Sequence, residues 1–229
     1  MTSHATEIST PKSGPLTVKV WDIFVRVFHW VVAIAFFVAY FTEDDFLTVH
    51  VWAGYTIGVL IVLRIAWGFV GPKHARFSDF LFSPFKVWQY LIALIGFRAK
   101  RYLGHSPAGA VMVFALLIGL AATVWTGLEL YAIEENAGPL AALSREAAPA
   151  KEHNSPLLVR VSDDEGYERE DGDERGKDDA EEFWEDLHET LANVMLALVI
   201  LHIGGVLLAS VAHRENLARA MVTGRKRAE

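Results

Sequence analysis

The chain of 229 residues contains no cysteine. That excludes disulfides, thiolate zinc sites, iron–sulfur clusters and thioether-attached haem in one step. Charge is also sparse: 21% of the residues are charged against 52% hydrophobic, and mean hydropathy is +0.27. A soluble domain of this length normally carries more charge and less apolar bulk. Basic residues are too few for a general nucleic-acid binder, since the formal net charge is −7. No internal repeat is visible, and one domain is the natural expectation for the length.

What the chain does have is four long apolar runs. They cover roughly Ile23 to Phe41, Val49 to Val70, Pro107 to Leu128 and Leu187 to Val211. Each approaches the ~20 residues that a helix needs to cross ~30 Å of hydrocarbon. The first run is expected to be a retained helix: it follows some twenty mostly polar residues, is rich in bulky aromatics and has no small-residue cleavage site after it. A fifth stretch, residues 80–97, holds Pro84 and Lys86, and its clean apolar part is too short to span. It is expected to be an amphipathic helix lying at the membrane interface, with Trp88 and Tyr90 at headgroup level. The predicted fold is therefore an all-α membrane protein, a bundle of four transmembrane helices in contact with lipid.

Basic residues set the expected orientation. The 71–106 connection carries Lys73, Arg76, Lys86, Arg98, Lys100 and Arg101, and the C-terminal tail carries five more. The 133–186 connection has six basic residues against eighteen acidic ones, a net of −12. The positive-inside rule then puts both termini and the 71–106 connection in the cytoplasm. The expected layout is a cytoplasmic arm (1–20), three transmembrane helices with the interfacial helix (21–132), an acidic periplasmic loop (133–183), a fourth transmembrane helix (184–212) and a basic cytoplasmic tail (213–229). Between Ser162 and Glu182 the acidic loop is almost devoid of apolar residues, so it is expected to be disordered or loosely ordered. It is read either as a solvated insertion or as an electrostatic landing surface for a basic partner.

Four of the nine histidines, His29, His50, His188 and His202, lie in or at the ends of the apolar runs. Ionisable residues in a membrane are costly and usually functional. His29 and His202 both sit some eight or nine residues from the inner boundary, while His50 and His188 both begin their helices at the outer side. His188 and His202 are fourteen residues apart, which places them on one face about 21 Å apart along the axis. Two depth-matched pairs are what two stacked haems need, each iron held by imidazoles from two facing helices. Structural or metal-binding histidines are the alternative. Gly54, Gly58, Gly204 and Gly205 lie near these positions, either to admit a haem edge or for ordinary close helix packing. Arg26 and Arg64 are candidates for haem propionate contacts, or for snorkelling to headgroups. His105, just before Pro107, is a candidate for a propionate or quinone contact, or an interfacial residue. Glu129 and Glu189 could orient an imidazole N–H.

The segments RVFHW at 26–30, VHVWAG at 49–54, YLGHSPAGA at 102–110 and LHETLANVMLALVILHIGGV at 187–206 resemble the bacterial cytochrome b561 and hydrogenase-type cytochrome b superfamily, which includes the cytochrome b subunit of formate dehydrogenases. The similarity covers all four runs and the basic end, HRENLARAMVTGRKR. The resemblance implies two non-covalent haem b groups, with His29, His50, His188 and His202 as iron ligands. It also implies electron transfer in the bacterial inner membrane between quinone and a redox partner, here expected at the periplasmic face. That partner would be a hydrogenase-like iron–sulfur subunit or a c-type cytochrome. One rival is a stand-alone quinone-reactive cytochrome with no dedicated partner. Another is a metal-ion transporter or membrane scaffold, although a transporter would be expected to gather its ligands and carboxylates near the midplane.

Overall fold

The structure, a computed structural model, describes residues 17–43, 46–147 and 166–228. In chain order the elements are β1 (Thr17–Lys19), α1 (Ile23–Phe41), α2 (Leu47–Val70), a 3-10 turn (Phe77–Phe80), α3 (Pro84–Ile95), α4 (Pro107–Glu134), α5 (Gly138–Ala147), α6 (Gly166–Ala212), α7 (Leu217–Thr223) and β2 (Arg225–Arg227). Among the described residues, α1, α2, α4 and the Lys177–Ala212 part of α6 are long and apolar enough to cross a membrane. The shortest, α1 with 19 residues, is about 28 Å long at 1.5 Å per residue, close to the thickness of the hydrocarbon core. Large apolar side chains on these helices face outward: Ile34, Trp52, Ile118 and Ile200 are 62–67% exposed. In water that surface would be a severe liability, whereas in a bilayer it is covered by acyl chains.

The chain divides into two compact units, and the four long helices each contribute to both. One unit comprises Phe28–Ala66 and Val111–Ile203. Its core is built from all four helices: Val32, Ala35 and Phe36 of α1, Ile57 and Ile61 of α2, Leu120 of α4 and Met195 of α6. The other unit takes the chain up to Val27, Trp67–Ala110 and Gly204 onward. It packs Val20, Trp21, Val25 and Ala75 against Phe24, Trp67 and Met221. Here Asp22 starts α1 by accepting the Val25 N–H at 3.0 Å, which satisfies an otherwise orphaned donor of the first turn. At the other end of the chain α7 is capped by Asn216, which accepts the Arg219 N–H at 2.7 Å. Gly224 then closes α7 in the left-handed region, φ 75°, and its carbonyl accepts the Val20 N–H at 2.8 Å. A side chain there would be strained by that φ and would also meet the Trp21 carbonyl.

The described fold is that of an all-α membrane protein with one short pair of strands added: β1 and β2 pair antiparallel, Thr17 opposite Arg227 and Lys19 opposite Arg225. The residues before α1 and the basic tail are thus tied to each other at 17–19 and 225–227, not two separate tails. The expected acidic loop is helical at both described ends, as α5 and as α6 from Gly166. Composition alone misleads here, because helix nucleation is the costly step, and an acidic segment joined to a formed apolar helix extends it residue by residue. The fourth long helix accordingly begins well before residue 184. Residues 1–16 of the expected arm and 148–165 of the expected loop lie outside the described residues, as do His4 and His153. The stretch expected to lie at the interface forms α3, with Ser83 ahead of its first residue, Pro84.

Candidate functional site

Within the four-helix unit the histidines form two pairs. His50 on α2 faces His188 on α6, with ring centres 6.0 Å apart and planes inclined by 73°. His29 on α1 faces His202 on α6, with ring centres 6.2 Å apart and planes inclined by 55°. The partners matched by depth are therefore the ones brought together. Imidazole nitrogens bind metal at about 2 Å, so two imidazoles on opposite sides of one metal ion have ring centres about 6 Å apart. Each pair can hold a single metal ion between its rings. Among the described residues no three His, Asp or Glu side chains converge into a metal cage.

His50 and His188 both line a mostly apolar cleft of about 80 Å³. Phe36, Ile57, Leu120, Val124 and Leu128 supply apolar walls, while Tyr40, Glu43, Tyr55, Thr123 and Tyr131 add polar groups beside the two imidazoles. Gly54 lines the cleft as well, and a methyl group built on it would meet nothing within 4 Å. Gly127 is the opposite case. A methyl there would come within 2.8 Å of the His188 ring, so α4 approaches the imidazole only because this residue has no side chain.

The outer nitrogens of this pair are occupied. His50 Nδ1 donates to the Ala39 carbonyl at 3.0 Å; a carbonyl only accepts, so Nδ1 carries the hydrogen and Nε2 holds the lone pair. His188 Nδ1 lies 3.0 Å from the hydroxyl of Thr126. Glu189, one of the two carboxylates expected to orient an imidazole, has another partner. Glu189 accepts from Asn193 at 3.5 Å, and Asn193 in turn accepts the Tyr40 hydroxyl at 3.1 Å. The groups on the His188 ring are the Thr126 hydroxyl and the Thr123 backbone, which no motif marks. In the other pair, His29 Nδ1 is buried and has no hydrogen-bond partner among the described residues, while Trp30 packs edge-on at 5.1 Å.

The remaining expected site residues are placed as follows. Arg64 is buried in the four-helix unit at 3% exposure. Arg26, in the other unit, donates to the Val222 carbonyl. His105 is wedged between Trp21 and Phe80, with ring centres at 4.7 and 4.2 Å. A methyl group on Gly58 would come within 3.2 Å of Val124, whereas methyl groups on Gly204 and Gly205 would meet nothing within 4 Å.

The unit that holds the termini carries a second polar cluster. Arg101 grips Glu215 with two bonds, Nε at 3.1 Å and Nη2 at 2.9 Å. Glu215 also accepts the Arg227 N–H at 3.1 Å, and Arg101 donates to the Arg227 carbonyl. Burial pushes the Glu215 carboxyl up, but the Arg101 and Arg227 hydrogen bonds outweigh it and hold the group below its ordinary value. Lys226 is buried beside Trp21, its ammonium 3.4 Å from the Tyr102 carbonyl, and burial lowers its pKa. His213 Nε2 is hydrogen-bonded to the Tyr90 hydroxyl at 3.3 Å, and burial lowers the His213 pKa too.

Comparison with known proteins follows the same lines. Residues 20–224 match the family described as prokaryotic cytochrome b561. Among curated relatives, a probable Ni/Fe-hydrogenase B-type cytochrome subunit of Rhizobium leguminosarum bv. viciae is 27% identical over 152 residues, 53% of this chain and 62% of that protein. Proteins of the same description are 28% identical in Azotobacter vinelandii, over 50% of this chain and 60% of that protein, and 30% identical in Rhodobacter capsulatus, over 53% and 57%. The chain thus spans about 60% of the length of the curated relatives it matches. No solved structure matches it. With a match over nearly its whole length and four apolar spans, the chain belongs to the prokaryotic cytochrome b561 family of membrane-embedded b-type cytochromes.

Proposed function

We propose that the protein carries electrons across the bacterial cytoplasmic membrane between quinone and a redox protein at the periplasmic face. On this reading it holds two haem b groups, one between His29 and His202 and one between His50 and His188. The observation that carries it is the pair of imidazole pairs, with ring centres 6.2 and 6.0 Å apart, in a family of b-type cytochromes. Haem supplies a one-electron ferric–ferrous couple when bound. The chain would supply imidazole nitrogens from His29, His202, His50 and His188 to hold it, and apolar walls that exclude water and let the imidazole neighbours tune the potential. Along α6 the fourteen residues from His188 to His202 span about 21 Å, which sets the two sites at different membrane depths.

The relatives' description as hydrogenase cytochrome subunits supports a hydrogenase-like partner. The basic 71–106 connection and tail support cytoplasmic termini, which puts the acidic 133–186 connection and the His50/His188 pair on the periplasmic side. The interfacial placement of α3 belongs to the same reading, as do propionate or quinone contacts from Arg26, Arg64 and His105. The test is a reduced-minus-oxidised optical spectrum of purified protein with haem counted per chain as the pyridine haemochrome. Two b haems per chain support the reading, one means that a pair is misassigned, and none in folded protein removes it. A dedicated partner is checked by copurification in mild detergent; absence of any redox subunit would favour a stand-alone quinone-reactive cytochrome.

A further inference from the structure

The hydrogen-bond roles around Thr126 follow from counting protons. A threonine hydroxyl has one hydrogen and two lone pairs. The Thr126 oxygen lies 3.0 Å from the Thr123 carbonyl, which can only accept, so the hydroxyl hydrogen goes there. The same oxygen lies 3.0 Å from His188 Nδ1 and has only lone pairs left to offer, and the Thr123 carbonyl is itself a second acceptor for the His188 ring. His188 must therefore carry its hydrogen on Nδ1, and its Nε2 is the unprotonated nitrogen. Thr126 is 4% exposed, so water does not compete for these positions. The next residue, Gly127, is the one whose missing side chain lets the ring come this close.

We propose that Thr126 is the positioning residue for His188: its hydroxyl accepts the Nδ1–H, fixes the tautomer and ring orientation, and leaves Nε2 as the nitrogen that binds iron. This rests on the assignment of His50 and His188 as one haem site. A metal-bound imidazole that donates from its second nitrogen is a more basic ligand, and a more basic ligand favours the ferric state. Both imidazoles of this pair donate in that way, to Ala39 and to Thr126, whereas His29 Nδ1 has no such acceptor among the described residues. The His50/His188 site is consequently the lower-potential site of the two, and Thr126 is one of the groups that make it so.

The test is Thr126→Val, which keeps the shape of the side chain and removes the hydroxyl acceptor while leaving the Thr123 carbonyl, with Thr126→Ser as the variant that restores the hydroxyl. Haem is counted as the pyridine haemochrome, and both potentials are read by optical redox titration, with low-temperature electron paramagnetic resonance of the ferric protein as a ligand-field signature. The expected result is two haems per chain in T126V, with only the lower potential moved upward. The reduced-to-oxidised ratio at fixed potential should rise about tenfold, which is about 59 mV for one electron. T126S should return it to the wild-type value. Unchanged potentials in a two-haem T126V protein overturn the proposal, as does a T126S protein that behaves like T126V. If T126V loses one haem outright, a T126S protein that keeps it at the wild-type potential supports the proposal, and loss in both variants overturns it. Failure of the site assignment itself looks different: His188→Ala would then keep both haems.

Discussion

The two imidazole pairs share their spacing and differ in their support. Ring centres 6.0 and 6.2 Å apart reflect the same cause, helices of one bundle packed through Ile57, Leu120 and Met195. Support is local and unequal. At His50/His188 both Nδ1 atoms face acceptors, Ala39 and Thr126, and Gly127 makes room for the ring. At His29 the Nδ1 is buried with none among the described residues. Helix packing thus fixes where a ligand stands, while the neighbouring acceptors fix which nitrogen it presents and how basic that nitrogen is. The membrane raises the stakes, since a misdirected N–H in hydrocarbon has no water to fall back on.

The largest effects should come from removing a ring. If the chain holds two haems as proposed, His202→Ala should lower the count to one and erase one of two spectral components, and His188→Ala should erase the other. Pyridine haemochrome analysis with spectral deconvolution checks both. A folded H202A protein that has lost both haems would break the comparison, because sites about 21 Å apart along α6 would then not be independent.

A smaller effect separates the two glycines near the His50/His188 pair. Gly127→Ala puts a methyl within 2.8 Å of the His188 ring, which must swing away and lose Thr126. Haem affinity at that site should drop about 10–100-fold, the usual cost of disturbing a ligand's hydrogen-bonded support. Gly54→Ala meets nothing within 4 Å, so the haem-free protein should be as stable as wild type. Its methyl points into the cleft, and haem binding should weaken only if the cofactor fills that space. Titration of apoprotein with haem, next to a thermal melt of the apoprotein, distinguishes them. Equal affinities in G54A and wild type would place the cofactor elsewhere.

Much of this layout is legible in the sequence because membranes impose simple rules. Apolar runs of fixed length mark the spans, α1 most cleanly, and a constant rise per residue turns the positions of His29, His50, His188 and His202 into depths. Depth suffices to choose partners when only four helices are available. It says nothing about rotation of one helix against another. Thr126 and His188 are 62 residues apart, and no spacing rule brings them together. Sequence reasoning looked instead to carboxylates, Glu189 beside His188 and Glu129 on α4, when the acceptor is a hydroxyl three residues before Glu129. The β1–β2 pairing was equally hidden, since three-residue strands have no readable periodicity and their partners lie about two hundred residues apart.

The smallest effect is a test of whether the same logic of held polar groups applies outside the spans. Glu215 sits below its ordinary value of 4.5, because the Arg101 and Arg227 hydrogen bonds outweigh the effect of burial. An unfolded chain therefore takes up this proton more readily than the folded one. The contribution of Glu215 is full above about pH 4.5 and is lost as pH falls through the lowered value. His213 and His74 add a higher step. Burial lowers both from 6.5, so the unfolded chain protonates first as pH falls below that point, and the β1–β2 clasp weakens there too. Hydrogen exchange of the amides at 17–19 and 225–227, corrected for intrinsic rates, should show protection falling in two stages on acidification. Glu215→Gln keeps acceptor oxygen but not charge. It should lower protection about fivefold at neutral pH, or about 1 kcal/mol, and abolish the lower stage while leaving the upper one. A lower stage that persists in E215Q would mean that another carboxyl holds the strands together, and that the bidentate Arg101 grip is not what ties the two ends of the described chain.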